Sequence, residues 1–453
     1  MSGSPPEWDH VLKVLEATFG FAGFKSAEQE AAVRAVLHGG QDVFVCFPTG
    51  GGKSLTYQLP AVVLGGVTLV ISPLLALIED QVTALQSLGV HAATINSRTP
   101  RAERFDLLQQ LRARPCPLRL LYLTPETLQT DEMQQLIQAL YDDSVLRLMA
   151  VDEAHCVSEW GHDFRPAFRR LAVLRRLCPT TPVMALTATA QAQVQSDIIT
   201  TLKLRNPAVV RRSTYRDNLT LEVRMKDMYP NLMGDITTFI EAQHEAATAR
   251  GQAASGIIYA FRREDCEAVA GAVQRHLTRA GIRCAAYHAG LNAEERNRIQ
   301  HEWTVGHIHV VAATIAFGMG IDKANVRYVV HATMSKSLEA YYQEAGRAGR
   351  DGQPAVCRLY YAQSDMSLFQ YLQQKEAKSR QNKEQPDRGD HLRHMQHYCL
   401  AATCRHAVIA RHFGEALSPC QTRCDCCREP ESVQKQLRCV AGPSLSPLSL
   451  STS

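Results

Sequence analysis

The sequence predicts an α/β protein: two tandem parallel-sheet units followed by a small helical, cysteine-rich segment. Short, almost wholly apolar, β-rich runs alternate with helical stretches over the first half, and the same alternation restarts after about residue 215. Past Asp365 the strand-like runs stop, and cysteines crowd between Cys399 and Cys427. Apolar runs buried on both faces and separated by helices are the pattern of a parallel sheet covered on both sides.

In the first unit the runs are Asp42 to Phe47, Val67 to Ser72, Leu118 to Leu123, Leu146 to Val151 and Val183 to Thr187. In the second they are Gly256 to Tyr259, Arg283 to Tyr287, His307 to Ala312 and Val326 to His331. The units meet near Leu204 to Thr220. The expected division is therefore 1–212, 213–365, a cysteine-rich subdomain over 366–430 and a disordered tail over 431–453. The end of that tail, Ala441 to Ser453, is rich in Ser, Leu and Pro. Lys375 to Asp390 is charged and nearly free of apolar residues, which fits either a solvated helix face or a linker.

Composition sets wide bounds. The chain has 453 residues, is 45% hydrophobic and 21% charged, and is long enough to bury sizeable cores without staples. A net charge of +4 admits a nucleic-acid partner without demanding one. There is no apolar run of about 20 residues and no basic-then-apolar N-terminus, so neither a membrane span nor a secretory signal is expected. In a reducing compartment the 14 cysteines read as thiols or metal ligands, not disulfides.

The first chemical motif is Pro48-Thr49-Gly50-Gly51-Gly52-Lys53-Ser54, between a strand run and a helical stretch. Consecutive glycines let backbone N–H groups turn toward a phosphate, and the following helix adds the positive end of its dipole. Lys53 would neutralise the β- and γ-phosphates of ATP, and the Ser54 hydroxyl would sit on Mg²⁺. Asp152 and Glu153 end the run Leu146 to Val151, at the strand edge where parallel sheets bind ligands. Asp152 is suited to hold Mg²⁺ through water, and Glu153 to polarise the attacking water.

The second motif is a C-x15-C-x3-C-x2-C array of Cys404, Cys420, Cys424 and Cys427. Four thiolates complete a tetrahedral Zn²⁺ site and leave no open position, so the metal would be structural. The helical stretch Arg405 to Phe413 would hold Cys404 opposite the others. Cys426 is adjacent and could replace Cys427 or Cys424.

These features resemble superfamily-two helicases and, within them, the RecQ family, over about residues 10 to 430. The most specific piece is Val157-Ser158-Glu159-Trp160-Gly161-His162-Asp163-Phe164-Arg165, similar to the RecQ aromatic-rich loop that couples DNA contact to ATP hydrolysis. Trp160 and Phe164 offer stacking faces for unpaired bases, and Arg165 a phosphate or stacking contact. Phe24, Lys25 and Gln29 resemble the adenine-recognition motif. Ser72-Pro73-Leu74 and Thr124-Pro125-Glu126 resemble segments holding the DNA backbone, and Leu186 to Ala190 the segment linking hydrolysis to movement. In the second unit, Tyr287 to Leu291 and Ala313 to Asp322 match family motifs, with Thr314 toward a DNA phosphate and Asp322 toward the nucleotide. Arg347 and Arg350, in Tyr342 to Gly352, resemble paired arginine fingers that project to stabilise the γ-phosphate transition state. Phe47 stands where the general phosphate loop has glycine, as in the shorter helicase loop, and the array has x3 where RecQ proteins more usually have x2.

The resemblance implies two RecA-like lobes with ATP bound between them, and an ATP-dependent helicase moving 3′ to 5′ on single-stranded and forked DNA. It further implies DNA repair, recombination and replication as setting, nuclear localisation, repair proteins as partners and a monomeric state. About 25 residues follow Cys427, so a core-plus-zinc form without a winged helix is expected, similar to the short RecQ paralogue type of animals. Two other readings compete: an RNA-acting helicase of related fold, and a DNA-annealing or partner-binding module that hardly unwinds.

Overall fold

The structure is a computed structural model and describes residues 6–160, 165–315, 317–318, 323–379 and 389–441. The chain divides into two units, Met1–Ser213 and Thr214–Ser453.

The first unit is a seven-stranded sheet of β1 (Val43–Cys46), β2 (Val67–Ile71), β3 (Ala92–Ile95), β4 (Leu120–Leu123), β5 (Leu146–Val151), β6 (Val183–Thr187) and β7 (Ala208–Arg211). The order is β3-β4-β2-β5-β6-β1-β7, and every pairing is parallel. Successive side chains of a strand point to opposite faces, and both faces here are buried. Phe44, Cys46, Leu69, Ile71, Met149 and Val151 enter one layer. Val43, Val45, Val70, Leu148, Ala150 and Leu186 enter the other, against helices Trp8–Phe19 and Ala27–Gly39. Each enclosed Val, Leu or Ile contributes roughly 1.5–3 kcal/mol of burial.

Register aligns the strand ends. Cys46 lies beside Thr187, Ile71 beside both Leu123 and Val151, and Val151 beside Ala185. The residues that follow β1, β2, β4, β5 and β6 therefore leave along one edge, the carboxyl edge where parallel sheets take ligands.

The second unit holds six parallel strands: β8 (Leu219–Met225), β9 (Ser255–Tyr259), β10 (Cys284–Tyr287), β11 (Val310–Ala313), β12 (Val326–His331) and β13 (Ala355–Tyr361). Their order is β10-β11-β9-β12-β13-β8. The cysteine-rich region is part of this unit's core: Cys404, Val408, Ile409, Phe413 and Val433 pack with Leu221, Val223, Leu359 and Tyr361. It also covers the β8 edge, where the Leu221 N–H donates to Arg423 O at 3.0 Å beside a parallel bridge to Cys424.

Two expectations need correction. The tail assigned to 431–453 begins instead with helix Pro430–Ala441, because Val433 and Leu437 give it an apolar stripe that docks on the core; 442–453 lie outside the described residues. Strands β3, β7, β8 and β13 also exceed the expected set. Of Lys375 to Asp390, helix Gln363–Ser379 takes the start and helix Gly389–Leu400 the end, with 380–388 outside the described residues. No described helix is long and apolar enough to cross a membrane.

Candidate active site and metal centre

The phosphate loop runs from the end of β1 to helix Leu55–Leu64. Gly50 and Gly52 have φ of 76° and 80°. A Cβ on Gly51 would stand 2.7 Å from the Pro48 carbonyl, and one on Gly52 2.3 Å from Gln29 Nε2, so the loop needs glycine at both. It is gripped through its carbonyls. Lys25 Nζ donates to Gly50 O at 2.8 Å, Arg212 Nη1 to Gly51 O at 3.1 Å and Gln29 Nε2 to Gly52 O at 2.9 Å. In a planar trans peptide the N–H points opposite the C=O. Carbonyls anchored on that side therefore turn the N–H groups of Gly52 and Lys53 the other way, which is the geometry a bound phosphate requires. Thr49, Lys53 and Ser54 are half-buried at this loop.

The candidate adenine readers serve the loop as well. Gln29 is only 2% exposed, and its Oε1 accepts from the Lys25 N–H at 2.8 Å. Phe24 has one face on the Trp8 ring, with centroids 5.7 Å apart and planes 22° off parallel.

Asp152 and Glu153 leave β5 along the same edge. Burial pushes the Asp152 carboxyl up to about 6; the Glu153 charge adds to this, and the Lys53 charge opposes it. Glu153 has φ 48° and ψ 44°, a left-handed backbone that costs a non-glycine residue about 1–3 kcal/mol. Its N–H donates to Asp152 Oδ1 at 2.9 Å. His155 Nδ1 lies 3.3 Å from Glu153 Oε2 and 3.1 Å from Thr187 Oγ1, and that hydroxyl donates to Thr189 O at 2.9 Å. The acid pair is thus tied to the segment Leu186 to Ala190.

Among the candidate DNA contacts, Trp160 is 48% exposed and free to stack. Its loop is anchored at both ends. Ser158 Oγ donates to Asp197 Oδ2 at 2.5 Å and accepts from the Trp160 N–H at 3.2 Å, while Arg165 Nη1 donates to Pro73 O at 2.9 Å. Phe164 lies outside the described residues. Neither Ser72 nor Thr124 offers its hydroxyl at the surface: Ser72 Oγ is buried with no hydrogen-bond partner among the described residues, and the Thr124 hydroxyl accepts from the Thr127 N–H at 3.2 Å as a helix cap.

In the second unit Thr314 lines a cleft of about 600 Å³ with Phe261, Arg262, Arg263, Glu264, Ala289 and Ile315. These residues follow β9, β10 and β11, at the start of helix Arg263–Leu277. Arg262 and Arg263 were not singled out in the sequence, where two charges after a strand look merely solvated. Asp322 lies outside the described residues. Arg347 does not project as expected. It is 9% exposed, and its Nη1 donates to the Gly318 carbonyl; only the fold brings that carbonyl within reach. Arg350 is half-buried.

The structure brings Cys404, Cys420, Cys424 and Cys427 together, with their sulfurs all within 4.8 Å of one another. A hydrogen bond from Cys424 holds the Cys404 thiol well below its usual range against its burial, and raises Cys424 in turn. Such a poised thiolate and three close partners fit Zn²⁺. Cys426 is turned away, its Sγ on Ala401 O at 3.6 Å.

Residues 26–198 match the DEAD/DEAH box helicase family, 239–352 the helicase conserved C-terminal domain and 363–428 the RecQ zinc-binding family. The chain is 43% identical over 434 residues to the ATP-dependent DNA helicase Q5 of Rattus norvegicus, covering 94% of this chain and 44% of that protein. It is 41% identical over 455 residues to the ATP-dependent helicase SGS1 of Saccharomyces cerevisiae, covering 97% of this chain and 30% of that one. The chain thus spans under half the length of these relatives. Among solved structures, Mycobacterium smegmatis helicase Lhr bound to ssDNA and AMP-PNP shares the fold, with a TM-score of 0.58 at 21% identity over 87% of this chain and 54% of that one. With the two helicase domains and the zinc-binding region in this order, and that identity across nearly its full length, the chain belongs to the RecQ helicases.

Proposed function

We propose that the chain is a DNA-dependent ATPase that works as a 3′ to 5′ DNA helicase on single-stranded and forked DNA. One observation carries the reading: the Gly52 and Lys53 N–H groups and the Asp152–Glu153 pair leave one sheet edge together, with β6 between their strands. That is a lysine-bearing phosphate cradle beside an acid pair, Asp152 buried and Glu153 partly exposed. Lys53 and the loop N–H groups bind the β- and γ-phosphates. Glu153 orients a water and takes its proton while the water oxygen bonds the γ-phosphorus and the bond to the β-phosphate oxygen breaks, leaving ADP and phosphate. Mg²⁺ screens the phosphate charge when bound, and Ser54 and Asp152 are the residues to hold it. Arg350 stabilises the transition-state charge. Phe24, Lys25, Gln29 and Asp322 serve the nucleotide. Trp160, Phe164, Arg165 and Thr314, with Arg262 and Arg263, serve the DNA strand, as do the backbone groups around Ser72 and Thr124. Zn²⁺ on the four cysteines is structural.

The names of the relatives, helicases acting on DNA, support DNA over RNA as the substrate. Repair and recombination in the nucleus, repair-protein partners and a monomeric state belong to the same reading. The test is phosphate release by the full chain with no nucleic acid, with single-stranded DNA and with RNA. Stimulation by DNA is expected; stimulation by RNA alone, or no turnover at all, overturns the reading. Forked duplexes with a 3′ or a 5′ tail test the direction.

A further inference from the structure

The turn that carries the two arginines follows helix Leu338–Ala345. Beyond the helix the turn's own carbonyls have no helical ladder to accept from, and a single guanidinium from elsewhere in the chain takes three of them. Arg216 Nη1 donates to Gly346 O at 3.3 Å, and its Nη2 to Ala348 O at 3.1 Å and to Gly349 O at 2.6 Å. Asn218, 8% exposed, reinforces the grip: its Nδ2 donates to Gly349 O at 2.8 Å and to Gln353 O at 3.0 Å, while its Oδ1 accepts from Arg216 Nε at 3.2 Å. Gly349 has φ 58°, and a Cβ there would stand 2.4 Å from Asn218 Nδ2, so the turn is glycine where Asn218 meets it.

The gripped carbonyls are placed to matter. Those of Gly346 and Ala348 flank Arg347, and that of Gly349 immediately precedes Arg350. Three carbonyls in a short arc suit a planar fork with donors at fixed angles, and a lysine ammonium cannot span them. We infer that Arg216 and Asn218 are positioning residues that set the backbone of the arginine turn, and so the aim of Arg350 during ATP hydrolysis. This rests on the role proposed above for Arg350. The contacts of both side chains given above are to the turn and to each other. Their effect is on turnover and not on binding, because misaiming a group that acts in the transition state leaves the ground-state complex intact.

The test uses the full, zinc-loaded chain and steady-state ATP hydrolysis with single-stranded DNA, on Arg216→Lys, Arg350→Ala and the double variant. Arg216→Lys should lower kcat about 10- to 100-fold, with the KM for ATP and the DNA affinity within about twofold of the parent. In the Arg350→Ala background the same change should cost under about twofold more, because both act through one group. A kcat per folded molecule, corrected by thermal melting, that stays at the parent value in Arg216→Lys overturns the inference while the role of Arg350 stands. So does a full multiplicative loss in the double variant. Normal turnover in Arg350→Ala overturns the role of Arg350 and this inference with it. If Arg216→Lys does not fold, Asn218→Ser, which removes both Nδ2 donations, is held to the same criteria.

Discussion

Arg405 and Asp425 form a forked ion pair with no solvent exposure on either side chain: Nε to Oδ1 at 2.9 Å and Nη2 to Oδ2 at 3.2 Å. The remaining lone pairs are used too. Asp425 Oδ2 accepts from the Val223 N–H at 2.8 Å and Oδ1 from the Cys426 N–H at 2.7 Å, while Arg405 Nη1 donates to Tyr398 O at 2.5 Å. Val223 belongs to β8, so the pair joins the zinc-binding region to the sheet.

Removing the carboxylate charge should therefore be severe. Asp425→Asn leaves a guanidinium buried without a counter-charge, at a cost of about 3–5 kcal/mol in urea unfolding of the zinc-loaded chain. A loss under about 1 kcal/mol would mean the pair contributes little. Burial alone would push the Asp425 carboxyl up, but Arg405 and the two backbone N–H groups outweigh it and hold the carboxyl below its usual range. A depressed folded value means the stabilisation is complete above the unfolded pKa of about 4 and is lost as pH falls through the lower folded value. Asp425→Asn should accordingly flatten that part of the acid limb of stability.

The two neighbouring cysteines should separate in a metal count. Cys404→Ser removes one of four sulfurs that lie within 4.8 Å of one another, and bound zinc per chain should fall from one to near zero, with loss of soluble protein. Cys426→Ser should keep its zinc, since that sulfur faces Ala401 O at 3.6 Å and not the cluster. Equal zinc loss in both variants would move Cys426 into the site.

What could be read from sequence was local. The bounds of β5, β6 and β12 are legible because each run is dominated by apolar and β-branched residues, with Arg147 in β5 and Arg327 in β12 as single internal charges. β8 is not legible because Glu222 and Arg224 alternate with its apolar residues, and β13 carries Arg358 at its centre, after Cys357 and ahead of two tyrosines. The fold places Arg358 beside Glu222 across the ladder, with Nε to Oε2 at 2.8 Å, so charges that looked solvated are paired within the sheet. The phosphate loop, the acid pair and the cysteine array each depend on a short spacing, and so they could be found. The inward turn of Arg347 onto Gly318, and the grip of Arg216 on a turn 130 residues away, depend on tertiary approach that no spacing encodes.

Lys53→Ala should abolish turnover, with at least about a 100-fold loss in phosphate release, while the far-ultraviolet circular dichroism stays unchanged. Lys53 is half-buried at the loop and makes no part of the core, so its removal costs charge and not packing. Gln29→Ala should act differently. It frees the Gly52 carbonyl, loosens the loop and raises the KM for ATP more than it lowers kcat. Normal turnover in Lys53→Ala would remove the phosphate site.

Trp160→Ala should leave basal ATP hydrolysis within about twofold of the parent and remove most of its stimulation by single-stranded DNA. A half-exposed indole offers a base a stacking face worth about 1–3 kcal/mol, and its loss costs the fold little. The expectation follows a chain of named contacts. Trp160 is one hydrogen bond from Ser158, and Ser158 bonds Asp197 on helix Ala192–Thr201. That helix follows the segment whose Thr187 meets His155, which lies 3.3 Å from Glu153. A strand stacked on Trp160 would therefore bear on Glu153, the carboxylate proposed above to orient water. Asp197→Asn should weaken stimulation in the same direction without touching the indole, whereas Trp160→Phe, which keeps a stacking face, should retain it. Undiminished stimulation in Trp160→Ala, measured as the ratio of turnover with and without saturating DNA, would place the coupling elsewhere on the protein.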